Sequence, residues 1–323
     1  MEHFQNKIEE GLKYFCNELP EHPEELYQPM SYTLSLGGKR IRPLLVLLGC
    51  DLFHGDIENA LPAALAVEVF HNFTLLHDDL MDLAPLRRNK PTVYKKWNNN
   101  IAILAGDAMF VKSYELLAKC KTDKLSEILG VFNHTALGVC EGQQFDMNYE
   151  VATAVSIADY IKMIELKTAV LLAGGLKIGA IIGESGQENA NNIYEFGKNI
   201  GIAFQLQDDL LDVYGNPEKF GKQVGGDIIS NKKTFLLLKA LELANKQQKE
   251  ILDQEISNTN FSPEQKVKKV TSVYNELNIK DLSEKEMKLF VEKGLYYLHL
   301  IDADKAKKEK IELLVHNLMK REH

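Results

Sequence analysis

The sequence has few of the residues that build disulfide frameworks, turn-rich sheets or basic surfaces. Only four of its 323 residues are cysteine, at Cys16, Cys50, Cys120 and Cys140. None makes a Cys-x-x-Cys pair or a framework spacing, so free, buried thiols in a reducing compartment are expected. Lys and Arg number 38 against 46 Asp and Glu, a formal charge of −8. This deficit of positive charge argues against a nucleic-acid surface. If the substrate is anionic, the protein must supply cations locally, through a metal or through clustered Lys and Arg. No apolar run reaches the roughly 18 residues that a membrane span requires, and Met1–Glu10 is too polar for a signal peptide. A soluble, cytoplasmic protein without stable membrane insertion is expected.

Proline is scarce and uneven: there are nine, and none falls between Thr92 and Asn216. That interval carries apolar residues at three- and four-residue spacing, which helices accommodate and sheet turns would interrupt. Helix-start signals take the place of strand alternation. Ser262-Pro263-Glu264-Gln265 and Ser283-Glu284-Lys285-Glu286 both read as capping boxes. Residues 244–290 are charge-rich and read as solvated helices with a loop. There is no Gly/Ser linker or low-complexity tract, so one all-α domain spanning 1–323 is the economical reading.

Two short segments carry the chemistry. Leu75-Leu76-His77-Asp78-Asp79-Leu80-Met81-Asp82 and Gln205-Leu206-Gln207-Asp208-Asp209-Leu210-Leu211-Asp212 each contain Asp-Asp-x-x-Asp. With Asp at about one residue in twenty, one such pattern arises by chance in roughly one chain of this length in twenty-five, and two in roughly one in a thousand. On a helix, positions i and i+4 share a face, which stacks Asp78 on Asp82 and Asp208 on Asp212. Like charges at that spacing repel, and burying them unpaired costs more. A cation should compensate. Mg²⁺ fits, since it takes oxygen ligands, retains waters, and is held by one or two carboxylates plus substrate phosphates.

The basic groups form a complementary set. Gly37-Gly38-Lys39-Arg40-Ile41-Arg42-Pro43 precedes an apolar run, and its glycines let backbone approach a phosphate while long side chains reach it. His71 lies two helical turns before Asp78. Arg87-Arg88 follow Pro85 and suit either a salt bridge to the first acidic cluster or bidentate phosphate contacts. Lys167-Thr168, Lys222 and Lys232-Lys233-Thr234 come later.

These motifs, with Phe204-Gln205, stand in the order found in the trans-prenyl diphosphate synthases, or polyprenyl synthetases, and the sequence resembles that family from about Gly37 to Thr234. The resemblance implies a helical bundle around a deep central cavity (the isoprenoid synthase fold), usually as a homodimer. It implies magnesium-dependent joining of isopentenyl diphosphate to an allylic diphosphate, with about three Mg²⁺ per site and Mn²⁺ as a substitute. Asp78, Asp82 and Asp208 would ligate the metal, with Asp79, Asp209 and Asp212 in the same clusters. Lys39, Arg42, His71 and Arg88 would hold isopentenyl diphosphate. Arg87, Lys167, Thr168, Gln205, Lys222 and Lys232 would contact the allylic diphosphate or close the site around it. Asn231 stands where the family often has Gly, and Asn also takes turn conformations.

In the family, bulky residues just before the first Asp-rich motif stop chain growth. Here Phe73 and Thr74 lie five and four residues before Asp78. A helix puts Thr74 on the Asp78 face and turns Phe73 about 140° away, so a floor role for Phe73 rests on resemblance. The pattern resembles the twenty-carbon, geranylgeranyl-producing synthases, with fifteen carbons next. Two rivals remain: a class I terpene cyclase, which typically carries one such motif, and a non-catalytic subunit, which tends to lose one.

Overall fold

The computed structural model describes residues 1–215 and 225–319. Lys222 and the terminal Lys320–His323 lie outside the described residues. The chain divides into two compact units, each discontinuous in sequence: Met1–Asn133 with Gly174–Asn191, and His134–Ala173 with Asn192–His323.

The first unit contains α1 (Glu2–Asn17), α2 (Glu24–Ser35), α3 (Ile41–Leu52), α4 (Ile57–Met81), α5 (Val93–Lys96) and α6 (Asn99–Leu117), and α7 (Leu125–Val151) starts in it. Its strands are the two-residue pair β1 (Leu86–Arg87) and β2 (Lys90–Pro91), antiparallel with Arg87 opposite Lys90. The longest of its complete helices, α4, starts where the Asp56 side chain accepts from the Glu58 N–H at 3.0 Å. Its middle is rich in alanine, the best helix former, and buried on every side from Ala63 to Phe70.

Close backbone contact fixes how α3 meets α9 (Val170–Ile182) within this unit. Gly175, Gly179 and Gly183 recur every fourth residue and so line one helix face. A Cβ at Gly179 would stand 1.9 Å from the Val46 carbonyl oxygen, and one at Gly49 2.4 Å from that of Leu176. Neither position has room for a side chain.

The second unit contains α8 (Ile157–Ile164), a five-residue π-turn (Glu165–Ala169), most of α10 (Gln187–Tyr214), α11 (Gly226–Ile229), α12 (Phe235–Leu243), α13 (Lys246–Ser257), α14 (Pro263–Glu276), α15 (Ile279–Leu300) and α16 (Lys305–Met319). One apolar cluster joins Leu210 and Val213 to Leu236, Leu252, Val270 and Tyr274, and a second joins Tyr160 and Ile164 to Ile202, Leu206 and Phe235.

The all-α expectation holds. Among the described residues, no helix is long and apolar enough to cross a membrane. Two local expectations are corrected. α14 does start at Pro263 after the N-cap Ser262, but Ser262 makes no side-chain cap hydrogen bond, and Ser283 lies inside α15 and is 1 % exposed. The helix begins earlier, at the fully buried Ile279, after the left-handed N-cap Asn278. Reciprocal capping boxes form instead at Ser156/Asp159 and Asn245/Gln248. None of the four thiols is in a disulfide, as expected, but only Cys50 and Cys120 are buried. Cys16 is part-buried, and Cys140 is exposed on the polar side of α7 beside Glu141 and Gln144.

Gly179→Ala should lower stability by on the order of 2 kcal/mol or more, because a methyl group there forces α3 and α9 apart. Urea denaturation checks this; an unchanged midpoint would mean the helices separate at no cost.

Candidate active site

In the first unit, α4 ends inside the acidic motif. Met81 is its last residue, and the Asp82 N–H still donates to the Asp78 carbonyl at 2.8 Å, which keeps Asp78 and Asp82 one turn apart. Asp79, on the neighbouring face, is 6 % exposed. Arg87 of β1 donates Nε to both its carboxylate oxygens, at 2.9 and 2.8 Å, and Nη2 to Oδ1 at 2.7 Å. Burial raises the Asp79 carboxyl above its usual range and the Arg87 guanidinium works against that rise. Of the two roles open to Arg87, the structure shows the ion pair. A turn with left-handed Arg88 and Asn89 (φ 50° and 61°) returns the chain to β2.

The basic loop has unusual backbone geometry. Gly37, Gly38 and Arg40 have φ of 81°, 142° and 49°, conformations that glycine adopts without strain. Gly38 also makes room for a guanidinium, since a Cβ there would stand 2.8 Å from Arg88 Nη2. Lys39 is exposed, and Arg42, in the first turn of α3, is part-buried. Burial, with the charges of Arg42, Arg87, Arg88 and Arg40, holds the His71 imidazole well below its ordinary range, so it is neutral at pH 7. The structure thus brings the predicted residues Arg42, His71, Arg87 and Arg88 into one neighbourhood.

Phe73 belongs to an aromatic cluster, with ring centroids 5.5 Å from Phe70, 5.4 Å from Phe110 and 4.8 Å from His77. Thr74 donates its hydroxyl back to the His71 carbonyl at 2.8 Å. His77 Nε2 lies 3.2 Å from the Ile103 carbonyl oxygen and sits against Gly106 of α6, where a Cβ would come within 2.2 Å of it.

In the second unit, α10 carries Asp208, Asp209 and Asp212 near its end. Asp209 is 2 % exposed. Its Oδ2 accepts from the Tyr160 hydroxyl, and its Oδ1 accepts from Gln205 Nε2 at 3.0 Å. Thr168 in turn donates to Gln205 Oε1 at 3.0 Å. Burial pushes the Asp209 carboxyl up to about 7, against the lowering effect of Lys232. Asp212 organises the segment that begins at Gly225: its carbonyl accepts from the Gly225 N–H at 2.7 Å and its Oδ2 from the Asp227 N–H at 2.9 Å. Lys232 Nζ lies 3.9 Å from Asp227 Oδ1, while Lys233 donates to the carbonyls of Tyr149 and Glu150 at the end of α7.

Lys167 and Thr168 sit in the π-turn, a local widening that often marks functional positions. Lys167 Nζ pairs with Asp146 Oδ2 at 2.6 Å. Its backbone rests on Gly142, where a Cβ would come within 2.2 Å of the Lys167 nitrogen. Sequence reasoning missed Asp146, Tyr160 and Asp227. Asp227 alone left a trace, as an acidic residue five positions before Lys232.

Among the described residues, no group of three or more His, Cys, Asp or Glu is arranged to hold a metal ion by itself. Both motifs nevertheless offer hard carboxylate oxygens, with Asp79, Asp209 and one oxygen of Asp212 already engaged by protein donors. Such a donor set suits an ion that one or two carboxylates share with phosphates and water, as Mg²⁺ is held.

Comparison with known proteins gives a consistent result. The polyprenyl synthetase family model matches residues 23–276. A geranylgeranyl diphosphate synthase of Methanosarcina mazei is 41% identical over 222 residues, 68% of this chain and 68% of the relative. A geranylfarnesyl diphosphate synthase of Aeropyrum pernix is 33% identical over 307 residues, 93% of this chain and 95% of the relative. A crystal structure of a geranylgeranyl pyrophosphate synthase superposes with a TM-score of 0.94 at 40% identity, covering 99% of this chain and 98% of that one.

Tyr160→Phe removes a buried donor to Asp209 without changing the ring. It should cost about 1–3 kcal/mol, the usual penalty for an orphaned buried acceptor. Urea titration of the metal-free protein checks it, and wild-type stability in the variant would mean the hydroxyl contributes nothing net.

Proposed function

The chain belongs to the polyprenyl synthetase family, and from that membership we propose that it is a short-chain prenyl diphosphate synthase, condensing isopentenyl diphosphate head-to-tail with an allylic diphosphate. The observation that carries the reading is the pair of Asp-Asp-x-x-Asp motifs on α4 and α10, with the basic set Lys39, Arg42, His71, Arg87, Arg88, Lys167 and Lys232 in an otherwise acidic chain.

In this reaction the allylic carbon–oxygen bond breaks and its electron pair leaves with the diphosphate. Mg²⁺ held by Asp78, Asp82, Asp208 and Asp212 would supply neutralisation of the charge developing on that leaving group. The chain's own cations do the rest. Lys167, Lys232 and Arg87, with Lys222, place positive charge on the allylic diphosphate, and Gln205, oriented by the Thr168 hydroxyl, donates a hydrogen bond. Arg87 also holds Asp79, so that the second aspartate of the motif does not add an uncompensated charge. Lys39, Arg42 and Arg88 bind the diphosphate of the second substrate, with neutral His71 as a hydrogen-bonding partner. The alkene of isopentenyl diphosphate attacks C1 of the allylic cation, and the departed diphosphate accepts the proton lost afterwards. We assign no protein general base. Phe73, with Phe70 and Phe110 behind it, provides an apolar wall that excludes water from the cation and limits the growing tail.

The product is a twenty-carbon diphosphate, geranylgeranyl diphosphate, made from shorter allylic starters by a cytoplasmic homodimer. The name of the Methanosarcina mazei relative supports that length. Support for the dimer comes from α6, where Leu104 and Val111, two turns apart on one side of the helix, are 59% and 57% exposed, an apolar stripe suited to a second copy.

The test is incubation with Mg²⁺, labelled isopentenyl diphosphate and the five-, ten- or fifteen-carbon allylic diphosphate, with products sized by mass spectrometry. Elongation to twenty carbons that EDTA abolishes is expected. Folded protein that elongates no starter would overturn the reading in favour of a non-catalytic subunit. Phe73→Ala should shift the products to twenty-five carbons or more, since it removes most of an aromatic ring from the wall. An unchanged distribution would take Phe73 out of the length-setting role.

A further inference from the structure

Four basic or near-basic positions surround the proposed isopentenyl diphosphate pocket, and one cation of the Gly-Gly-Lys-Arg-Ile-Arg-Pro segment behaves unlike the others. Lys39 is exposed and Arg42 part-buried, whereas Arg40 is 6 % exposed. All sides of its guanidinium fork are engaged within the protein. Nη1 donates to Glu68 Oε1 at 2.7 Å, Nε to Glu9 Oε1 at 2.9 Å, and Nη2 to the Leu34 carbonyl at 2.7 Å. That carbonyl belongs to the last turn of α2, where helix geometry leaves an acceptor without a partner. Each nitrogen of Arg40 thus already has a protein acceptor, the buried Glu68 carboxylate among them.

Glu68 is the corresponding oddity of α4. It is 3 % exposed in the apolar stretch Ala66-Val67-Glu68-Val69-Phe70. A buried charge of this kind persists only when paired. Besides Arg40, its Oε1 accepts from Asn72 Nδ2 at 3.0 Å, and Asn72 is itself 1 % exposed and anchored to the Glu68 carbonyl at 2.8 Å. Glu68, His71 and Asn72 lie at i, i+3 and i+4, on one face of α4. The left-handed residue Arg40 is also the N-cap of α3, so its side chain fixes the point where the glycine loop turns into the helix that carries Arg42.

We propose that Arg40 and Glu68 are positioning residues for the isopentenyl diphosphate pocket. Their buried ion pair, braced by Asn72 and Glu9, clamps the loop 37–40 to α4 one turn before His71, and so sets the spacing of Lys39 and Arg42 from His71. Arg40 itself touches no substrate. The proposal rests on the synthase reading and adds a division of labour within the basic segment: Lys39 and Arg42 bind, and Arg40 holds them in register. The pair carries no net charge, so its removal alters geometry and leaves the positive charge presented to the diphosphate intact. Removal of Lys39 does the opposite.

Steady-state kinetics on the full chain separate these effects, with isopentenyl diphosphate and the allylic substrate varied in turn at several salt concentrations. Arg40→Met/Glu68→Met deletes both charges together and leaves no buried ion unpaired. Its KM for isopentenyl diphosphate should rise on the order of tenfold or more, as small misplacements of binding groups do. Its kcat and allylic KM should stay within about threefold, and its salt dependence should match the wild type. Lys39→Ala should raise the same KM while flattening its dependence on salt. Glu68→Gln, nearly isosteric and able to accept from Arg40, should give a smaller rise, and it keeps the test decisive if the double variant folds poorly. Wild-type KM in both the double variant and Glu68→Gln, with Lys39→Ala impaired, would overturn the positioning role alone. A joint loss of kcat and both affinities would also overturn it, by making the pair a general scaffold. Lys39→Ala with an unchanged KM would overturn the pocket reading and the positioning role with it.

Discussion

The constraint on which the site depends is electrostatic: two adjacent aspartates followed by a third, twice over, near the ends of two helices and with leucine or methionine between them. Three carboxylates in such surroundings repel one another and lose hydration. Both clusters resolve the problem the same way. The second aspartate, rotated about 100° from the first, is drawn into the protein and satisfied there, Asp79 by Arg87 and Asp209 by Tyr160 and Gln205. The first and last aspartates share the remaining face. Each motif therefore has an anchored second carboxylate beside an i, i+4 pair suited to a divalent cation, and in the second motif Asp212 also accepts from the Asp227 N–H.

The same economy appears on the basic side. A chain with a formal charge of −8 gathers Arg40, Arg42, Arg87 and Arg88 about His71, whose burial, together with their charges, holds its imidazole below its ordinary range. That concentration is possible because Arg40 and Arg87 are balanced by Glu68 and Asp79. Glycine supplies the room: Gly38 accommodates the Arg88 guanidinium, and Gly142 lets the π-turn bearing Lys167 press against α7.

Much of this was legible in the sequence. The all-helical class followed from the proline-free interval and the apolar spacing, and both acidic motifs stood out because their residues are contiguous. What could not be read depends on partners distant in sequence. Tyr160 meets Asp209 across 49 residues, and Arg40 meets Glu68 across 28. Ser283 shows how a local signal misleads, since it matches a capping box but is buried within a helix that begins at Ile279. The π-turn, whose backbone packs on the distant Gly142, had no signature in Glu165–Ala169. Cys140 is exposed because the face of α7, not the residue type, decides its burial.

We propose that Asp78 with Asp82, and Asp208 with Asp212, hold divalent cations that bind a diphosphate, while Asp79 and Asp209 are held by protein donors. Calorimetric titration with inorganic pyrophosphate tests this without catalysis. The wild-type protein should bind pyrophosphate in Mg²⁺ and lose most of that affinity in EDTA. Asp78→Asn and Asp208→Asn should each weaken the Mg²⁺-dependent binding by on the order of tenfold or more. Equal affinity with Mg²⁺ and with EDTA, or full affinity in both variants, would contradict the account.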